Sequence, residues 1–389
     1  MGRRHSGRAE IPPFYVMEVM RAAERRLAAG EEVLHLEVGQ PSTAAPAGAR
    51  EAAHRAIDGD VLGYTTAAGL EPLRVRIAQH YDEWYGVGVD PDAVVLTVGA
   101  SGAFVVAFLS AFDAGDRVVV PSPGYPCYRN ALGALGVDVI DLPTTIDTRF
   151  QPTIQQLDAV GPADGLVVGS PSNPTGTMLD AERLDGVARW CREHDAWFVS
   201  DEIYHGITFA GAAPTALTYD PDAIVINSFS KYYSMTGWRL GWMVVPDRLR
   251  DAATRVAQNV TIAAPTVAQH AALAAFDCTE ELEANVERYA RNRGVLLDGL
   301  RAAGFTELAP ADGAFYVWAR VDHLTGDREG VADSQALCAR WLDELGVATT
   351  PGVDFDPTHG HRFVRFSFAG STDDISAAVQ RLGEWVAGR

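Results

Sequence analysis

Residues 223–245 read AIVINSFSKYYSMTGWRLGWMVV. Two apolar runs, Ala223–Asn227 and Leu240–Val245, bracket a polar loop, and each has the length of a strand rather than a helix. A continuous apolar strand has both faces covered, as in a sheet buried between helices. The loop carries Ser228 and Ser230, then Lys231, then Arg239 eight residues further on. Lys231 is the only lysine; the other 31 of the 32 basic residues are arginine. Arginine can replace lysine as a surface cation. It cannot replace an amine that must lose its proton, because its pKa lies above about 12. A single lysine at a strand end either marks a position that needs the amine itself or is one surface cation left by chance, and its neighbours decide between them. An amine, two hydroxyls and a guanidinium within twelve residues suit a phosphorylated aldehyde. The amine would bond the aldehyde, and Ser228 and Arg239 would grip the phosphate.

The pattern continues upstream. Val94–Val98, Arg117–Val120, Val137–Asp141, Gly165–Gly169 and Ala196–Ser200 read as further strands, with helices over Ser101–Phe112 and Ala181–His194. This alternation predicts an α/β fold with a mostly parallel central sheet flanked by helices. After Thr279 the pattern changes. A long helix over Glu280–Ala303 carries Leu282, Val286, Tyr289, Leu296 and Leu300 along one side. A strand at Phe315–Arg320, a helix at Ser334–Leu345, a strand at Arg362–Phe368 and a helix from Thr372 follow. We expect a smaller α+β domain formed from both termini, residues 1–45 and 280–389, around a large domain, residues 46–279.

Composition removes several classes of function. A net charge of −19 repels phosphate backbones, so nucleic acid is not an expected partner. No apolar run reaches the ~20 residues of a membrane span. Arg3-Arg4 opens the chain in the manner of a twin-arginine export signal, but no apolar stretch follows, and Glu10, Glu18 and Glu24 interrupt it. Four widely spaced cysteines without a C-x-x-C pair read as free thiols of a reducing cytoplasm. His359-Gly360-His361 lacks the spacing of a metal site, so no metal is expected. No nucleotide-binding fingerprint occurs.

Polar residues collect at the predicted strand ends, where α/β proteins hold ligands. Gly99-Ala100-Ser101-Gly102 joins a strand to a helix and suits a phosphate. Pro171-Ser172-Asn173-Pro174-Thr175-Gly176 fixes the backbone around Asn173. Asp201-Glu202-Ile203-Tyr204 follows a buried strand; an Asp there needs a cation or a donor, or else caps a helix.

Taken together and in order, SNPTG, SDEIY, SFSK and GWRLGW resemble the fold-type I pyridoxal-phosphate enzymes, specifically the class I/II aminotransferases of the aspartate aminotransferase superfamily. The resemblance runs from Gly39 to Arg365. It implies a large domain that binds pyridoxal 5′-phosphate, with Lys231 forming the internal aldimine and then carrying a proton. It implies that Asp201 pairs with the ring nitrogen and that Asn173 and Tyr204 reach the phenolic oxygen. Tyr125 would stack on the ring. Ala100, Ser101, Ser228 and Arg239 would bind the phosphate, with Ser230 assisting. Tyr64 would reach the phosphate of a neighbouring subunit, which implies a homodimer with shared active sites. Arg365 would clamp the substrate α-carboxylate, with the Gly39 backbone and Asn173 beside it.

The expected reaction moves the amino group of an α-amino acid to a 2-oxo acid. Some relatives that act on aspartate carry a lysine in the glycine-rich turn. Ser101 aligns there, and Ile11-Pro12-Pro13-Phe14-Tyr15-Val16 is apolar and aromatic, so an apolar or aromatic donor is expected. The same cofactor motifs also serve β-eliminating lyases and cyclopropane-forming synthases, which remain the alternative. A regulator's sensing domain would need a winged helix, and the stretch before Gly39 offers no room for one.

Overall fold

The apolar runs of the middle of the chain pair into one seven-stranded sheet. In chain order the strands of the whole protein are β1 (Leu34–His35), β2 (Val94–Thr97), β3 (Arg117–Ser122), β4 (Asp138–Pro143), β5 (Gly165–Gly169) and β6 (Trp197–Asp201). Then come β7 (Ile224–Ser228), β8 (Gly241–Val244), β9 (Tyr316–Arg320), β10 (Val347–Ala348), β11 (Thr350–Pro351) and β12 (Phe363–Ser367). The structure is a computed structural model and describes residues 5–326 and 331–388; Arg3 and Arg4 lie outside them.

The large sheet has the order β2-β8-β7-β6-β5-β3-β4. β8 runs antiparallel to both of its neighbours, and the other pairings are parallel. Successive residues of each strand enter opposite cores. Val225 and Trp242 pack into one, while Ile224, Ile226 and Met243 pack into the other with Phe104 and Phe108 of the helix Gly99–Ala111. Burying a side chain of this size contributes about 1.5–3 kcal/mol. That alternation explains why the strands read as unbroken apolar runs.

Boundaries shift by a residue or two from the sequence reading. The main difference is that the helix expected from Ser101 begins at Gly99. The first turn there needs a left-handed residue without a side chain, as described below.

The remaining strands form two small sheets. β9, β11 and β12 make an antiparallel sheet in the order β11-β12-β9, and β1 pairs in parallel with β10. N-terminal and C-terminal segments meet there. The Ser367 amide donates to the Leu36 carbonyl at 2.7 Å. The helix Thr279–Ala302 buries Leu282, Tyr289, Leu296 and Leu300, four of the five residues expected on its apolar side. Among the described residues no helix is long and apolar enough to cross a membrane.

Candidate active site

β5, β6 and β7 lie side by side in one direction, so the segments that follow them emerge at one edge of the sheet. β6 ends on Asp201 and β7 on Ser228, three residues before Lys231. β5 runs into the turn that holds Asn173.

Lys231 Nζ donates to the carbonyl of Gly39. Burial, with Arg365 and Arg239 nearby, pushes this amine down to about 7. An ammonium there loses its hydration and is repelled by two guanidiniums. Asp201 is buried as well. The Tyr128 hydroxyl donates to its Oδ2, and the Ile203 amide donates to Oδ1 at 3.1 Å. Burial pushes the carboxyl up to about 6, against those two bonds. Above about pH 7 the cavity therefore holds a neutral amine and a charged carboxylate. Asp201 caps no helix; it ends β6 and accepts from a turn amide.

The helix Gly99–Ala111 opens beside Arg239. Gly99 has φ +68°, and a Cβ there would lie 2.6 Å from Arg239 Nη2. Glycine thus lets the guanidinium rest against the first turn, where the opening amides of a helix have no intrahelical acceptor. Amides and guanidinium together form a cradle for an anion.

Arg365 sits on β12 and is 2% exposed. Its guanidinium carbon lies 4.4 Å from the ring centre of Tyr316 and 4.7 Å from that of Phe355. Nη1 donates to Asn173 Oδ1 at 2.9 Å, and Nη2 donates to the Glu37 carbonyl. Nε is buried without a partner among the described residues. A planar fork with an orphaned donor suits a carboxylate. Gly39 makes room here, since a Cβ would fall 1.9 Å from the Tyr316 oxygen. That oxygen lies 2.7 Å from the Tyr204 hydroxyl.

One cavity gathers Gly39, Ala100, Ser101, Tyr125, Asn173, Asp201, Tyr204, Ser230, Lys231, Arg239 and Arg365. Two expected site residues lie outside its lining. Ser228 Oγ is buried 2.9 Å from Ser230 Oγ and 3.0 Å from the Leu240 carbonyl, so it braces the loop that carries Lys231. Tyr64 is 85% exposed. The sequence reading missed Tyr128 and Tyr316. Tyr128 follows Tyr125 by three residues, a spacing that could have placed both on one helical face. The remaining wall is mostly apolar and includes Phe14, Val16, Met17, Met20 and Val38, with Thr236 and Tyr316.

A family profile described as Aminotransferase class I and II matches residues 31–382. The chain belongs to this family. A valine–pyruvate aminotransferase of Mycobacterium tuberculosis is 49% identical over 384 residues, covering 97% of each chain. A crystal structure of an aminotransferase from Mycobacterium tuberculosis superposes with a TM-score of 0.96 at 48% identity, covering 100% of both chains. The aspartate aminotransferase of Thermus thermophilus with maleate gives a TM-score of 0.91 at 31% identity, covering 98% of this chain and 100% of that one. The protein is an aminotransferase and moves an amino group to a 2-oxo acid. Aminotransferases of this family are generally dependent on pyridoxal 5′-phosphate.

Proposed function

We propose that this aminotransferase works with pyridoxal 5′-phosphate and takes its amino group from an apolar amino acid. The residues present fit the cofactor. The glycine-lined cradle beside Arg239 suits its phosphate, and Ala100, Ser101 and Ser230 line the same place. Asp201 would hold the protonated ring nitrogen, Asn173 and Tyr204 the phenolic oxygen, and Tyr125 the ring face. Lys231 would hold the aldehyde. When bound, the cofactor supplies an electron sink for the bonds at the amino acid's Cα.

The chain's own residues do the rest. Arg365 receives the substrate carboxylate on its fork, beside the Gly39 backbone and Asn173. Lys231 Nζ, neutral above about pH 7, takes the proton from Cα. Tyr128 keeps Asp201 oriented by donating to it. The cavity draws on both proposed domains, residues 1–45 with 280–389 and residues 46–279. We also read the protein as a cytoplasmic homodimer in which Tyr64 reaches the neighbouring subunit's phosphate site. Exposed Ile57, Val61 and Tyr64 support an apolar contact there, and four free cysteines support a reducing compartment.

The lowered lysine gives a pH signature. Only the neutral amine has the lone pair that bonds an aldehyde, and its fraction rises as pH climbs through about 7. Uptake of pyridoxal 5′-phosphate by the apoenzyme, followed by absorbance, should therefore accelerate up to about pH 7 and level off above it. A rate still climbing towards pH 10 would contradict the burial argument.

The observation that carries the donor assignment is the wall of Phe14, Val16, Met17 and Met20 lining the same cavity. The cations lining the cavity are Lys231, Arg239 and Arg365. With the first two held by the cofactor, one guanidinium remains for one carboxylate. A donor panel should give valine a kcat/KM at least about ten-fold above that of aspartate, with pyridoxamine phosphate as the cofactor product. Aspartate as the best donor would overturn the assignment. Ammonia release with no change in cofactor would establish elimination instead.

A further inference from the structure

The helix Tyr15–Ala28 starts without a local cap. Phe14 holds the capping position and offers no side-chain acceptor. The amides of Tyr15 and Val16 instead donate to Asp354, to Oδ1 and Oδ2 respectively, each at 3.0 Å. A carboxylate across two opening amides stabilises a helix start through charge and dipole together. Further along, Ala23 packs with Val33, Leu342 and Ala348 and Arg26 reaches Asp343, so the Asp354 carboxylate serves the opening turn, where only Val16 is buried. Short helices depend on tertiary anchoring for their order.

The segment that supplies Asp354 also touches the carboxylate clamp. Thr350 Oγ1 lies 3.3 Å from Arg365 Nη2, and the Phe355 ring faces the same guanidinium. The helix turns Val16, Met17 and Met20 towards the cavity. One stretch of chain, residues 350–355, thus meets the clamp at one point and the apolar wall at another.

We propose that Asp354 is a positioning residue for donor selectivity, holding the first helix where Val16, Met17 and Met20 pack on the donor's side chain. This rests on the reading of the cavity as an amino-acid site. A donor carboxylate on Arg365 and its side chain on the wall are then spaced by one rigid connection. Met17 is 49% exposed, so core packing does not hold it in place once the connection fails.

The test compares the holoenzyme with Asp354→Asn and Met17→Ala, using valine and alanine as donors. Asn keeps the shape but turns a donor group towards a backbone amide. In both variants the valine-to-alanine ratio of kcat/KM should fall by about ten-fold, mainly through KM for valine. Hydrogen exchange at residues 15–20 should quicken in Asp354→Asn alone. Equal loss with both donors in either variant, or unchanged exchange at residues 15–20 in Asp354→Asn, would overturn the proposal. Met17→Ala removes an exposed side chain and tests the wall even where Asp354→Asn folds poorly. A wild-type enzyme that uses neither donor would refute the functional reading instead, and the exchange comparison would still judge the tether.

Discussion

Lys231→Arg will lower transamination by at least about 10⁴-fold, although it preserves the positive charge. The amine lies in a buried site, against the Gly39 carbonyl and near two guanidiniums, where its proton is readily lost. A guanidinium there cannot be deprotonated, so it can neither bond an aldehyde nor take a proton from Cα. Lys231→Ala should fail to a similar degree. The measurement is steady-state transfer from an apolar amino donor to a 2-oxo acid, with the absorbance of added cofactor read in parallel. Either variant retaining more than about one per cent of wild-type turnover would refute the covalent role.

Arg365→Ala will raise KM for the amino donor by about 30-fold or more, because a buried charged hydrogen-bond partner is worth roughly 2–5 kcal/mol. Arg365→Lys should restore little. The site between Tyr316 and Phe355 is a slot for a flat group, and the orphaned Nε with its neighbouring nitrogens forms a fork that a point charge cannot copy. A binding measurement separates clamp from scaffold. In the alanine variant, affinity for a monocarboxylate analogue should fall while the absorbance of bound cofactor stays in place. Equal loss of both would assign Arg365 to folding rather than to the substrate.

Much of the site could be read from sequence because of how the sheet is built. Buried parallel strands are continuous apolar runs, so their ends stand out, and Asp201, Ser228 and Lys231 sit at those ends. What could not be read are contacts without local sequence signals. Tyr128 and Tyr316 look like ordinary core aromatics until the fold brings their hydroxyls to Asp201 and Tyr204. The start of the first helix has no capping residue of its own, since its acceptor lies 338 residues away. Gly99 read as part of a phosphate turn, but its close approach to Arg239 depends on β8 lying beside β2 and β7. Ser228 is expected on the phosphate from its place before the amine, and its Oγ also meets Ser230 Oγ and the Leu240 carbonyl, contacts that sequence alone does not signal.

The one antiparallel strand of the large sheet, β8, has a further consequence. Because β7 and β8 are adjacent and paired from Val225↔Val244 to Ser228↔Gly241, the loop between them is closed at its base by fully buried strands. Lys231 and Arg239 both ride on that closed loop. Neither can be released by fraying from a chain end. The proposed anchor and phosphate grip thus share one base, and losing the β7–β8 ladder would displace both together.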